Sequence, residues 1–152
     1  MTGLFQGALW VAAIGSGLLG GVYLAFSIAV MPALARRPST EATAVMQKTN
    51  RVILNPVFLL LFNGTALACL LAACSPLVVA GDGSGWRVAG GLVGLVGFVS
   101  TIAVNIPLNN RVDREGAVAW ARFLARWVPA NHVRALTSVV ATVLLTLALR
   151  AT

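Results

Sequence analysis

The sequence predicts an all-α integral membrane protein: a four-helix bundle with two short cytoplasmic amphipathic helices. Three observations carry this. Only 10% of the 152 residues are charged and 59% are hydrophobic, whereas a soluble domain carries about 25% charged residues to wet its surface. Charges are absent from 1–35, 52–81 and 88–110, and from a shorter window at 135–149, and a spanning helix needs about 20 mostly apolar residues. The basic residues gather in two of the three connecting segments.

The chain reads as a single transmembrane domain, 1–152, with spans at 4–31, 55–79, 86–109 and 132–149. Span one holds Gly15, Gly17, Gly20 and Gly21, small residues that let helix backbones approach closely in lipid. Its window has no basic leader and is too long for a signal peptide, so it is expected to be retained. Pro32 ends or kinks it. Asn55-Pro56 opens span two, with proline at a first-turn position where its missing N–H is not needed. Cys69 and Cys74 in that span match no metal spacing and read as apolar thiols. Residues 81–85 form a polar turn, with Trp86 beside it as an interfacial anchor. Span three carries Gly90, Gly94 and Gly97 on one contact face, and Pro107 frees the carbonyl of Ala103. Span four reaches its length with the stem of Arg134 inside the membrane edge and Arg150 snorkelling at the far end.

Two connecting segments have helical character. Residues 41–51 form a short helix. In 113–127, Trp120, Phe123, Leu124 and Trp127 recur at helical spacing, with Arg122 and Arg126 on other faces. This second helix lies in the interface or folds back against the bundle, Trp120 and Trp127 read as interfacial anchors, and Pro129 closes it.

The net charge of +7 invites nucleic acid, but its distribution argues against that partner. Arg36, Arg37, Lys48 and Arg51 lie between spans one and two. Arg111, Arg114, Arg122, Arg126 and Arg134 lie between spans three and four. The middle loop has only Asp82 and Arg87. Under the positive-inside rule both basic loops are cytoplasmic, which places the chain in the plasma (inner) membrane with both termini outside. The basic excess then meets anionic membrane lipid.

Polar residues inside spans are expensive unless partnered. Here they collect toward the basic ends. Thr101, Asn105 and Asn109 form one stripe on span three; Arg134, Ser138 and Thr142 form another on span four. Tyr23 and Ser27 pair on span one. Asn55 and Asn63 lie on span two, and His132, the sole histidine, stands beside Asn131 and Arg134. Interhelical hydrogen bonding is one reading of the set. A polar pocket open toward the cytoplasmic leaflet is the other. No carboxylate lies in a span, no Ser/His/Asp set or phosphate loop is visible, and one histidine with two cysteines makes a poor zinc or haem site. An imidazole, a guanidinium and several amides are suited to removing a proton from an acidic carbon and stabilising the anion that results. His132 is then the base, and Arg134, Asn105 and Asn109 hold the oxyanion.

Four segments carry a resemblance. They are Gly20-Gly21-Val22-Tyr23 through Met31-Pro32; Met46-Gln47-Lys48-Thr49-Asn50 followed by Asn55-Pro56-Val57-Phe58; Asn105-Ile106-Pro107-Leu108-Asn109; and Trp127 with Asn131-His132-Val133-Arg134. Together they resemble the anthrone oxygenase-like family of four-span membrane proteins. The resemblance implies oxidation of the activated methylene of an anthrone by O2, without a dedicated cofactor or metal. Its site would be His132, Arg134, Asn105 and Asn109, with Tyr23, Asn50, Asn55, Trp127 and Asn131 around a planar, apolar aromatic substrate.

Two alternatives stand beside this. The glycine-rich faces of spans one and three suggest self-association, a subunit role, or a non-catalytic carrier of lipid or small molecules. A metal-dependent oxygenase would rely on His132 as its lone imidazole ligand.

Overall fold

The structure, a computed structural model, describes residues 3–151. Its helices are α1 (Gly3–Ala25), α2 (Met31–Ala35), α3 (Ser39–Ile53), α4 (Pro56–Cys74), α5 (Ser84–Ser100), α6 (Ile106–Glu115) and α7 (Trp120–Arg150). Three continuous helical stretches are long and apolar enough to cross a membrane: Gly3–Ala35, Pro56–Leu77 and Ser84–Arg150. The third doubles back at Gly116, where φ is +62°, so four long helices pack side by side. Helices α1 and α5 each lie against both α4 and α7. The described chain is an all-helical bundle of the predicted class.

Its outer surface is apolar. Ile14, Leu18, Leu60, Val96 and Val139 are all exposed, on faces that a soluble protein would not leave to water. The interior at the end holding the α4–α5 turn is built from small residues. Leu9, Ala12, Ala68, Cys69, Ala72, Ala141 and Leu145 form one cluster. The glycines lie between helices: a Cβ on Gly90 would stand 2.8 Å from Leu145 Cγ, and one on Gly94 would stand 2.6 Å from Cys69 Sγ. Gly15, Gly20, Gly91 and Gly97 also face neighbouring helices, while Gly7 and Gly21 face open space. Cys69 is buried as expected, but Cys74 is exposed.

That same end carries a residue whose importance the charge count hides. Arg87 is 1% exposed. It donates from Nη1 to Ser75 Oγ (3.1 Å) and from Nη2 to Val79 O (2.8 Å) and Ser84 Oγ (2.7 Å). One guanidinium thus ties the last turn of the second stretch to the first turn of α5.

Two widened turns interrupt the helices. Residues Phe26–Val30 and Thr101–Asn105 are π-helical, with the Met31 N–H reaching Phe26 O and the Ile106 N–H reaching Thr101 O. Each is followed by a proline, Pro32 or Pro107, which lacks a donor and crowds the carbonyl four residues back. The π turn absorbs that conflict, so Pro32 neither ends the first stretch nor breaks it; the helix runs on to Ala35. Both turns contain the same run, Ser/Thr-Ile-Ala-Val, at 27–30 and 101–104.

The predicted break at Pro129 is absent. Pro129 lies inside α7, which runs unbroken from Trp120 to Arg150. Pro129 and Ala125, whose carbonyl it deprives of a donor, are both exposed, so headgroup water at this end can satisfy that carbonyl. The second amphipathic segment is therefore the first part of the fourth long helix, preceded by a turn at Gly116–Ala119. Its aromatic face turns inward. Trp120, Phe123 and Trp127 are buried with Met31, Leu34, Met46 and Val112, so the two tryptophans anchor the core and not the interface. Helix α3 closes over this end, held by Gln47 Nε2 donating to Val112 O across 3.1 Å.

Candidate functional site

The π turn in the first stretch and the start of the apolar part of α7 meet around Asn131. This side chain is 1% exposed. Its Nδ2 donates to Tyr23 O (2.8 Å) and Ser27 Oγ (2.9 Å), and its Oδ1 accepts from Arg134 Nη1 (3.3 Å). Arg134, three residues on, shares the same helix face and is 6% exposed. Its guanidinium carbon sits 3.8 Å from the centre of the Tyr23 ring, a cation–π contact that offsets part of the cost of burying the charge. Arg134 Nε has no hydrogen-bond partner.

These groups floor a cavity of ≈ 80 Å³ whose walls are Val22, Phe26, Met46, Thr49, Asn50, Ile53, Phe58 and Trp127. Three of those residues, Phe26, Thr49 and Ile53, also line an open groove of ≈ 390 Å³ that includes Val45, Lys48, Val52 and Asn55. Small-molecule sites span about 300–1,000 Å³. The inner cavity alone falls short of that, so a ligand of this size would extend from it into the groove. Aromatic rings lead to the cavity wall: Trp120 to Phe123 (5.4 Å), Phe123 to Trp127 (5.6 Å) and Trp127 to Phe26 (5.9 Å) between centroids.

The predicted site residues divide into three groups. Tyr23, Asn50, Trp127, Asn131 and Arg134 all line the cavity. Asn55 lines the groove and caps α4, its Oδ1 accepting from Phe58 N at 3.0 Å. His132, Asn105 and Asn109 are not among the cavity-lining residues. His132 is exposed, with Nδ1 2.9 Å from Ser27 Oγ. It therefore stands one hydroxyl away from Asn131 and the cavity floor. Asn109 accepts from Trp127 Nε1 at 2.8 Å and so orients that indole. Asn105 is 1% exposed, and neither its Nδ2 nor its Oδ1 finds a partner.

Ser27 joins the imidazole to Asn131, which lines the cavity, and so links the two halves of the predicted site. Asn50 donates to Asp113 Oδ1 at 3.3 Å, which fixes its amide at the cavity wall. The apolar lining, Val22, Phe26, Ile53 and Phe58, is invisible to a search for polar stripes. Asn63 faces outward and donates to its own helix at Leu59 O, 2.8 Å away. Among the described residues, no three His, Cys, Asp or Glu side chains come together.

Fold and site together define a helical membrane protein with a buried guanidinium at the floor of an aromatic-walled cavity. The family model of the anthrone oxygenases matches residues 51–144, and the chain belongs to that family. The match takes in Asn55, Asn105, Asn109, Trp127, Asn131, His132 and Arg134, while Tyr23 and Asn50 come from the part of the chain before it. No curated protein and no solved structure matches the chain.

Proposed function

We propose that this protein is a membrane-embedded oxygenase that converts the activated methylene of a planar phenolic, anthrone-like substrate to a ketone. The observation that carries the reading is the buried pairing of Arg134 with the Tyr23 ring at 3.8 Å, on the floor of a cavity whose walls are otherwise largely apolar. Family membership supports oxygenase chemistry at the level of the class.

In this mechanism the ring system stacks against Trp127 and Phe26, with an oxygen toward Arg134. The guanidinium stabilises the phenolate or enolate as it forms, in a site where water does not screen it. His132 receives the proton through Ser27, and Asn109 keeps the indole in place. The carbanion gives electrons to O2 and forms a hydroperoxide at the methylene carbon. Loss of water leaves the ketone: the carbon loses two hydrogens and gains one oxygen atom, and the second oxygen departs as water. The substrate itself supplies the electrons. The bundle crosses the membrane four times with the basic end cytoplasmic, so the groove beside Lys48 opens at the inner interface, where such a substrate dissolves.

The test is O2 uptake by the full chain in lipid nanodiscs with an anthrone. Arg134→Met and His132→Ala should each abolish uptake above the spontaneous rate. Uptake at the wild-type rate in both variants would remove the mechanism.

A second reading is supported by the exposed position of His132. A base outside the cavity is not needed if the protein carries the planar molecule without altering it. Stoichiometric binding with no O2 consumption would select this carrier role.

A further inference from the structure

We infer that the natural ligand of the cavity is an organic anion, a planar aromatic bearing a carboxylate that pairs with Arg134. This rests on the cavity being the substrate site proposed above, and goes beyond it by fixing the ligand's charge before any reaction.

The chain has four acidic residues, and none of them serves Arg134. Glu41 pairs with Arg37 at 3.4 Å and Glu115 with Arg111 at 2.9 Å. Asp113 accepts from Asn50. Asp82 lies in the turn before α5, at the far end of the bundle. What meets the Arg134 guanidinium is neutral: the Asn131 amide oxygen and the Tyr23 ring. Its Nε is unpartnered although the residue is 6% exposed. Buried charges are ordinarily paired, because an uncompensated ion in a low-dielectric site is costly. Here the counter-ion is missing from the protein, and the charge borders a cavity.

The geometry favours a carboxylate as that counter-ion. A guanidinium offers a planar fork of donors that matches two carboxylate oxygens. Asn131 commits both its Nδ2 bonds to Tyr23 O and Ser27 Oγ. It therefore turns its oxygen to Arg134 and holds the fork in place. The surrounding walls are aromatic and aliphatic, which suits a flat ring system behind the charged group. At the groove, the exposed Lys48 gives an approaching anion a second attraction.

The experiment uses the full chain in zwitterionic phosphatidylcholine nanodiscs. Binding is read as quenching of tryptophan emission, with Trp127→Phe as the blank for partition into the bilayer. The probes are anthracene-2-carboxylate, its neutral carboxamide, and palmitate as a competing acid that is not planar. The carboxylate should bind about tenfold more tightly than the carboxamide, as a charge-assisted bidentate pair implies. Palmitate should displace it poorly. The preference should vanish in Arg134→Met and persist in part in Arg134→Lys. Equal affinity for the two anthracenes in the wild-type protein would overturn the inference even if Arg134→Met fails to fold. So would full displacement by palmitate, or an unchanged preference in Arg134→Met. The two readings fail separately: O2 uptake absent while the carboxylate binds removes the oxygenase alone, and uptake with a neutral anthrone that binds as well as the acid removes the carboxylate alone.

Discussion

Asn131 Nδ2 donates to the main-chain oxygen of Tyr23 across 2.8 Å. This bond joins the last long helix to the first at the edge of a π turn, and it sets the height at which Arg134 meets the Tyr23 ring. Replacing Asn131 by leucine removes the Tyr23 and Ser27 bonds and leaves buried polar groups unsatisfied, at about 1–3 kcal/mol each. Thermal unfolding in mild detergent should shift downward, and ligand affinity should fall with it. A variant with wild-type stability and affinity would show that the junction is not structural.

Ser27 sits between His132 and Asn131, with both contacts at 2.9 Å. Ser27→Ala removes the hydroxyl while keeping the helix. If His132 acts through Ser27, kcat should fall about 100- to 10,000-fold, the range of a lost proton-transfer contribution, while KM changes little. An unchanged kcat would detach His132 from the chemistry.

Arg87 is far from the cavity and bonds Ser75, Val79 and Ser84. Hydrogen bonds to a buried charged group contribute about 1.5–3 kcal/mol, so Arg87→Met should destabilise the protein by at least that much. Ligand binding by the fraction that remains folded should match wild type. A variant that melts like wild type would rule out the tie.

Gly91 packs against the backbone of α4, where an added Cβ would meet Ala73 N at 2.8 Å and the Cys69 carbonyl closer still. Backbone cannot swing aside as a side-chain tip can. Gly91→Leu should cost about 1–3 kcal/mol through overpacking, seen as a lower melting temperature. Gly21→Leu, at a position facing open space, is the control and should melt within a degree or two of wild type. Equal melting of the two variants would remove the packing argument.

Hydropathy makes the long helices legible because it reports the solvent each segment prefers, and several of the asparagines in and beside those helices line the cavity or its groove. What it missed depends on neighbours. Whether Pro129 stops a helix depends on what can reach the carbonyl of Ala125, and that is a property of the exposed face, not of the residue. Trp120 and Trp127 have the same periodicity whether they face lipid headgroups or Met31 and Leu34. Arg87 looked like one charge in a short loop because its partners, Ser75, Val79 and Ser84, are ordinary in composition. Tyr23, Asn131 and Arg134 were found as polar residues in apolar helices. Their apolar companions Val22, Phe26 and Phe58 resemble every other span residue until the helices are placed side by side.

The two π turns have a consequence for how this fold tolerates change. A π turn holds one residue more than the α turn it replaces, and one residue is about 100° of rotation. The segments on either side of Phe26–Val30 are therefore out of phase with an unbroken helix. That offset keeps both sets on α7, Tyr23 and Ser27 against Asn131 and Met31 and Leu34 against Trp120, Phe123 and Trp127. Deleting a single residue between 26 and 30 would restore a regular spiral and swing one of those two sets toward lipid. The bundle should accept many substitutions along this stretch and almost no change in its length.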